Sequence, residues 1–159
     1  APRVRSDDQL ARLLQIGIVL EEVVEARAYE HYRHLPDDER DDRIDDLLAN
    51  AREESAEHRE RLASLVDHLS VVDADVDVTD VVHDHYARTD SADFDGVLYD
   101  QLNGEETAYK FYDDLIDAIE GSDAAFGVNR TELLATLRDI RAAEAAGVEA
   151  VAGLMEDRT

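Results

Sequence analysis

The chain has 159 residues, enough for one domain with a sizeable core, and its 40 acidic against 16 basic residues give a formal net charge of −24. This charge argues against binding to nucleic acid or to an anionic membrane surface, each of which needs a basic patch. The sequence contains no cysteine, which excludes disulfides, thiolate catalysis and cysteine-ligated metal sites.

The remaining composition predicts a soluble, cytoplasmic protein. No apolar run reaches the ~18 residues of a membrane span, and the first residues lack the apolar centre of a signal peptide. Lys110 is the single lysine. This acidic composition resembles that of proteins from extreme halophiles, because at molar salt the Debye length falls to roughly 3 Å and like charges on a surface stop repelling over distance.

Hydrophobic periodicity predicts four long helices. Pro36 separates the first two, because the residue before a proline leaves the helical region and proline suits a first helical turn. Asp7 or Asp8 is expected to cap the first helix. Gly121 ends the third helix and Asn129 caps the fourth. The predicted helices cover about 8–35, 37–70, 92–120 and 129–157.

The stretch between the second and third helices breaks this periodicity. Residues 71–91 are long for a helix–helix turn and suit an extended crossover from one end of a bundle to the other, with room for a short helix at 80–88. The sequence therefore predicts a single all-α domain over 1–159. It is a four-helix bundle of two helical hairpins joined by a long crossover.

Two of the helices carry one motif, repeated 80 residues apart, which predicts a pseudo-two-fold relation between the hairpins. The identical pairs are Glu25/Glu105, Ala28/Ala108, Tyr29/Tyr109, Tyr32/Tyr112 and Leu35/Leu115. In each of the four helices, residues spaced three and four apart form one apolar stripe. The predicted stripes are positions 18, 21, 25, 28, 32 and 35; 44, 47, 51, 54, 58, 62, 65 and 69; 98, 101, 105, 108, 112 and 115; and 133, 137, 140, 144, 147, 151 and 154. Glu21 shares the first stripe but pairs with Gln101 in the repeat, and we interpret it as a partly hydrated structural residue.

One glutamate interrupts each of the four stripes. A carboxylate that faces a core is costly unless it is paired, protonated or bound to a cation, and two divalent cations would cancel four such charges. His58 follows the second of these glutamates by one turn and lies on the same face. The alternative is chance, since 40 of the 159 residues are acidic. The predicted metal ligands are Glu25, Glu54, His58, Glu105 and Glu144.

Aromatic residues and further histidines complete the candidates. Tyr32 and Tyr112 are expected one layer from the glutamates, where a core tyrosine needs a hydrogen-bond partner and a ligand carboxylate would serve; plain packing is the alternative. They are the candidate catalytic residues. The histidines near helix ends are expected to be solvated or to interact with the helix dipole. These are His31, His34 and His68.

With these motifs, the sequence resembles the ferritin-like superfamily of di-iron carboxylate proteins, and most of all its single-domain, rubrerythrin-type members. The resemblance rests on Glu25-Ala28-Tyr32 and its repeat, since that family carries Glu, Ala and Tyr at this spacing on helices 1 and 3. The family usually carries Glu-x-x-His on helices 2 and 4. The resemblance covers about residues 8–157.

The chain departs from that family pattern on both of the other helices. Three residues after Glu54 stands Glu57, with His58 one later, so either is a candidate ligand. Three residues after Glu144 stands Gly147, so helix 4 offers no histidine. Fewer imidazoles shift the preference of a site towards harder ions such as Mn²⁺.

The resemblance implies a di-metal protein, with two iron ions or manganese in their place, acting as an oxidoreductase or ferroxidase on O₂, peroxide or Fe²⁺. Glu25 and Glu54 with His58 would hold one ion, and Glu105 with Glu144 the other. Electrons would come from another protein, because the rubredoxin module of full rubrerythrins is missing. A homodimer or larger homo-oligomer is expected. The alternative is a metal-free bundle that serves as a structural or partner-binding subunit.

The charge generates a first prediction. In dilute buffer without metal, the repulsion among 40 acidic residues works against the compact state, and salt screens it. The helical far-UV circular dichroism signal should therefore be native at about 2 M KCl and should fall at about 50 mM. Equal thermal stability at both salt concentrations would contradict the halophilic interpretation.

Overall fold

A computed structural model describes residues 3–69 and 93–157 of the chain. Within these residues all regular structure is helical, which confirms the predicted all-α four-helix bundle. None of the described helices is long and apolar enough to cross a membrane. The helices are α1 (Asp7–His34), α2 (Asp42–His68), α3 (Phe94–Glu120) and α4 (Arg130–Asp157), with a short 3₁₀ helix at Asp37–Glu39.

The helices form two hairpins, α1 with α2 and α3 with α4, and α1 also packs on α3 and α2 on α4. At one end of the bundle, the amide of Val4 donates to the carbonyl of Ala118, and the end of α2 lies beside Gly127. At the other end, the amide of Phe94 donates to Glu39. The end of α2 and the start of α3 therefore lie at opposite ends of the bundle. The predicted crossover at 71–91, with the short helix at 80–88, lies outside the described residues.

Polar side chains fix the helix starts, two of them not as predicted. Ser6, and not Asp7 or Asp8, caps α1 by accepting from the amide of Gln9. The prediction that the second helix begins at 37 is wrong, because Arg40 is extended and Asp41 caps α2. The predicted cap of α4 is confirmed. There the amide of Glu132 donates to the Asn129 side chain at 3.0 Å.

A layer of polar residues divides the buried core into two apolar clusters. All four helices contribute to each cluster. The first includes Leu10, Leu14, Leu62, Ile116 and Leu137, and the second Leu35, Ile44, Leu48, Leu98 and Val151. In every helix at least one buried polar residue stands between its contributions to the two clusters. These residues are Glu21 in α1, Ser55 and His58 in α2, Gln101 and Glu105 in α3, and Glu144 in α4.

The predicted stripes are right for α3 and α4 and only partly right for α1 and α2, where positions 21, 28 and 35 and positions 44, 51, 58, 62 and 69 are buried as predicted. The buried line of α1 includes Gly17, Val24 and His31, where the prediction placed the neighbouring positions 18, 25 and 32. In α2 the buried line includes Leu48, Ser55 and Val66 in place of 47, 54 and 65. Relative to the prediction, each of these two helices is rotated about its axis. The residues on one edge of the predicted stripe therefore leave the core, and residues beyond its other edge enter it.

The rotation of α1 changes the environment of His31. It is buried, and its Nε2 donates to Asp100 of α3 at 2.9 Å, so the prediction of a solvated residue is wrong for it. His34 and His68 are exposed as predicted. Arg27 also donates to Asp100, at 2.9 Å. Burial alone would raise the pKa of Asp100, but the hydrogen bond from His31 and the charge of Arg27 outweigh it and place the pKa below the ordinary 3.8.

Asp100→Asn is expected to lower the free energy of unfolding by about 1–3 kcal/mol at neutral pH, because the amide cannot accept from both neighbours. A depressed carboxylate pKa contributes stability above the ordinary pKa and loses it as the pH falls through the folded value. The difference from the parent should therefore shrink below pH 3.8. Denaturant titrations measure it, with the exposed Asp117→Asn as control. A difference that stays constant through the acid range would contradict the assignment.

Candidate metal centre

Three helices bring one buried side chain each to a common point in the polar layer. Glu21 of α1, His58 of α2 and Glu144 of α4 place their potential ligand atoms within 4.8 Å of one another. His58 Nδ1 lies 3.4 Å from Glu21 Oε1 and 3.3 Å from Glu144 Oε1. All three residues are more than nine-tenths buried. We call Glu21, His58 and Glu144 the central group.

Within the described part of the chain, two buried atoms of the central group are left without hydrogen bonds. Neither His58 Nδ1 nor Glu21 Oε2 has a hydrogen-bond partner among the described residues, although both atoms are buried. Ligands about 2.0–2.1 Å from a tetrahedral cation lie about 3.4 Å apart, close to the observed separations. Carboxylate and imidazole are also donors that first-row divalent metals accept. The residues present therefore fit a divalent cation.

Glu105 of α3 adds a third buried carboxyl, next to Gly147 of α4. It shares a hydrogen bond with Glu144. A Cβ atom at Gly147 would lie only 2.7 Å from Glu105 Cδ and 2.8 Å from its Oε2. The missing side chain of Gly147 is thus what leaves room for this carboxyl. The position at which the family resemblance leads one to expect histidine is filled by Glu105 from the facing helix.

Burial favours the protonated forms of Glu105 and Glu144, because it raises the pKa of both carboxyls. Burial, followed by the hydrogen bond with Glu105 and the charge of Glu21, raises the pKa of Glu144 far above its ordinary range. Burial also raises the pKa of Glu105; the hydrogen bond with Glu144 opposes this shift and the charge of Glu21 adds to it. A proton shared between Glu105 and Glu144 partly neutralises the layer, and a bound cation would replace it.

Tyr112 of α3 holds Glu21 in place. The tyrosine is fully buried, and its hydroxyl donates to Glu21 Oε1 at 2.7 Å. Burial, with the charge of Glu21, raises the pKa of Tyr112 far above its ordinary range, so the hydroxyl remains a donor. The predicted contact between a core tyrosine and a candidate ligand carboxylate therefore exists for Tyr112. The partner is Glu21.

The structure does not bring the other predicted residues into this group. Glu25 is 27% exposed and pairs with Arg59 at 2.9 Å. The expectation that Tyr32 is a core tyrosine is wrong, since it is 41% exposed and stacks under the Arg40 guanidinium. Glu57 is exposed.

Glu54 is exposed as well, so its predicted place on the buried stripe is also wrong. Partial burial nevertheless raises its pKa, a shift that the charge of His58 opposes and the charge of Glu21 adds to. These interactions place Glu54 near the central group without making it a member. Its prediction as a ligand stays untested.

Sequence reasoning identified His58, Glu105 and Glu144 and assigned Glu21 a structural role. The interpretation of Glu21 as partly hydrated is wrong, because it is fully buried. One signal pointed to it. Glu21 lies on the line of positions 21, 28 and 35, which the predicted and the observed buried faces of α1 share.

Comparison with known proteins adds no relative to this picture. No family model, no curated protein and no solved structure matches the chain. The fold class therefore rests on the helices themselves, and any function rests on the geometry of the polar layer.

The fit between Gly147 and Glu105 generates a prediction. Alanine is a better helix former than glycine by about 1 kcal/mol, but here its Cβ would displace the Glu105 carboxyl from Glu144. Gly147→Ala should therefore give little or no gain in the free energy of unfolding of the parent. In a Glu105→Ala background the same change should stabilise by about 1 kcal/mol. Denaturant titrations of the four proteins in molar KCl give the coupling, and equal effects in both backgrounds would refute it.

Proposed function

We propose that this protein is a metal-binding four-helix bundle whose central group holds a divalent cation, and that it acts as a ferritin-like di-metal oxidoreductase or ferroxidase. One observation carries the proposal. A ring nitrogen and two carboxylate oxygens converge in a buried layer, at ligand-like distances and without hydrogen bonds to the ring nitrogen.

The charge of the layer supports the proposal. One divalent cation with His58 as a neutral ligand offsets the charges of Glu21 and Glu144 and leaves only the charge of Glu105, so the filled layer contains less net buried charge than the empty one. A second cation would need Glu105 together with Glu54, which lines the same cavity and whose charge affects the pKa of Glu105. Glutamate and histidine donors suit iron or manganese.

The residues around the central group have separate tasks in this proposal. Tyr112 fixes the rotamer of Glu21 through its hydrogen bond, as a partner outside the ligand sphere commonly does. Glu105 accepts a hydrogen bond from the protonated Glu144, and this proton would be released when a cation binds. The apolar clusters on either side exclude bulk water. Bound iron or manganese would supply one-electron chemistry, with electrons from an external donor.

A second candidate is a metal-free structural or partner-binding subunit. The hydrogen bond between Glu105 and Glu144 favours it, because a shared proton already neutralises part of the layer without a cation. The departure of α4 from the family pattern at Gly147 favours it too. Cation binding by the purified protein separates the two candidates.

Alanine at Glu21, His58 or Glu144 should weaken divalent cation binding by more than about 100-fold, since even partners outside the ligand sphere cost 10–100-fold. Titration calorimetry with Mn²⁺ or anaerobic Fe²⁺ in molar KCl measures this, and oxygen consumption after Fe²⁺ addition tests the redox function. Glu25→Ala is the matched control, because that carboxylate pairs with Arg59. It should bind as the parent does.

Two results would contradict this assignment in different ways. Loss of the cation in Glu25→Ala with retention in Glu21→Ala would restore the ligand set predicted from the sequence repeat. A parent protein that binds no divalent cation would establish the structural subunit instead.

A further inference from the structure

We propose that the cavity between α2 and α4 is the route by which divalent cations enter the central group. The inference rests on the proposed function and adds to it a path through the protein. The cavity has a volume of about 230 Å³ and is lined by residues of α2, α3 and α4. One water occupies about 30 Å³ of liquid, so a cation can enter with part of its hydration shell.

The acidic residues of the cavity lie at different depths. Glu54 is exposed, whereas Glu105 is 6% exposed, and both line the cavity. The nearly buried Gln101 lies in the lining as well. A cation arriving from solvent therefore meets an exposed carboxylate first and a buried one afterwards. Negative charge at the mouth of a cleft with apolar walls concentrates cations there.

Glu105 connects the cavity to the central group. Its carboxyl lines the cavity and also shares a hydrogen bond with Glu144. Beyond Glu144 lie His58 Nδ1 and Glu21 Oε2, the buried atoms without hydrogen-bond partners among the described residues. The proposed path therefore ends at two buried atoms that are free to bind a cation.

Small side chains keep the walls of the cavity open. Three of the four lining residues of α4 are small, namely Ala146, Gly147 and Ala150, and Ala51 of α2 belongs to the lining as well. The cavity between α1 and α3 and the one near the end of α2 are lined by no member of the central group and not by Glu105. On the side of the polar layer where the first apolar cluster lies, Leu14, Leu62, Leu137 and Tyr112 are fully buried. Entry from that side would require opening the core.

Phenylalanine at Ala150 or Ala146 tests this route. Both alanines are exposed, so the larger ring narrows the cavity without entering the core. Ala142→Phe is the control, because Ala142 is exposed on the same helix and lines none of these three cavities. The probe is Co²⁺, whose visible absorption changes when carboxylate and imidazole replace water, mixed rapidly with cation-free protein in molar KCl.

Both variants at the cavity should load Co²⁺ about tenfold more slowly than the parent and the control, within the range over which association rates vary among variants. Release to a chelator should slow by the same factor, and the equilibrium affinity should not change, since a barrier alters neither end state.

Loading at the parental rate in both variants would overturn the entry route and leave the proposed function standing. If both variants lost equilibrium affinity for Co²⁺, the substituted residues would belong to the binding site itself and not to an entry route, and this result would also overturn the proposal. A parent that takes up no Co²⁺ would instead refute the proposed function.

Discussion

The burial of three carboxyl groups and an imidazole in the middle of an apolar core is the constraint on which this structure depends. Isolated ionised carboxylates do not remain in such a place, because the loss of hydration costs several kcal/mol for each charge. Glu21, Glu105 and Glu144 therefore have to be neutralised by protons, by His58 or by a cation. The packing around them is consistent with this requirement. Tyr112 donates to Glu21, and Gly147 leaves space for Glu105 beside Glu144.

The bundle arrangement follows from the sequence because it depends on coarse features. Long periodic segments, Pro36, Gly121 and Asn129 define four helices, and short turns pair them into hairpins. The bounds shifted only where a cap was misjudged. Asp41 starts α2 five residues later than Pro36 suggested, since a capping side chain accepts the first free amides and proline does not.

The rotation of α1 could not be predicted, for a physical reason. Positions 21, 28 and 35 belong to the buried face in either rotation, and α1 carries apolar residues on both flanks of that line. The motif repeat then favoured the wrong flank, because it matches Glu25 to Glu105. In the folded chain, Glu105 follows the buried Glu21 by 84 residues, and Phe94 follows the buried Leu10 by the same 84. The repeat in the sequence has an offset of 80 residues, whereas the buried positions of α1 and α3 match at an offset of 84. The two offsets differ by about one helical turn.

The division of the core has a consequence for folding cooperativity. Each apolar cluster draws on all four helices, so neither belongs to a single hairpin and neither can form before both hairpins have met. The energetic coupling between the two clusters depends on what neutralises the polar layer of Glu21, His58, Glu105 and Glu144. A proton ties together two of these side chains, whereas a cation ties together at least three, from three different helices. Occupancy of the layer would therefore set whether the two halves of the bundle open as one cooperative unit or as two.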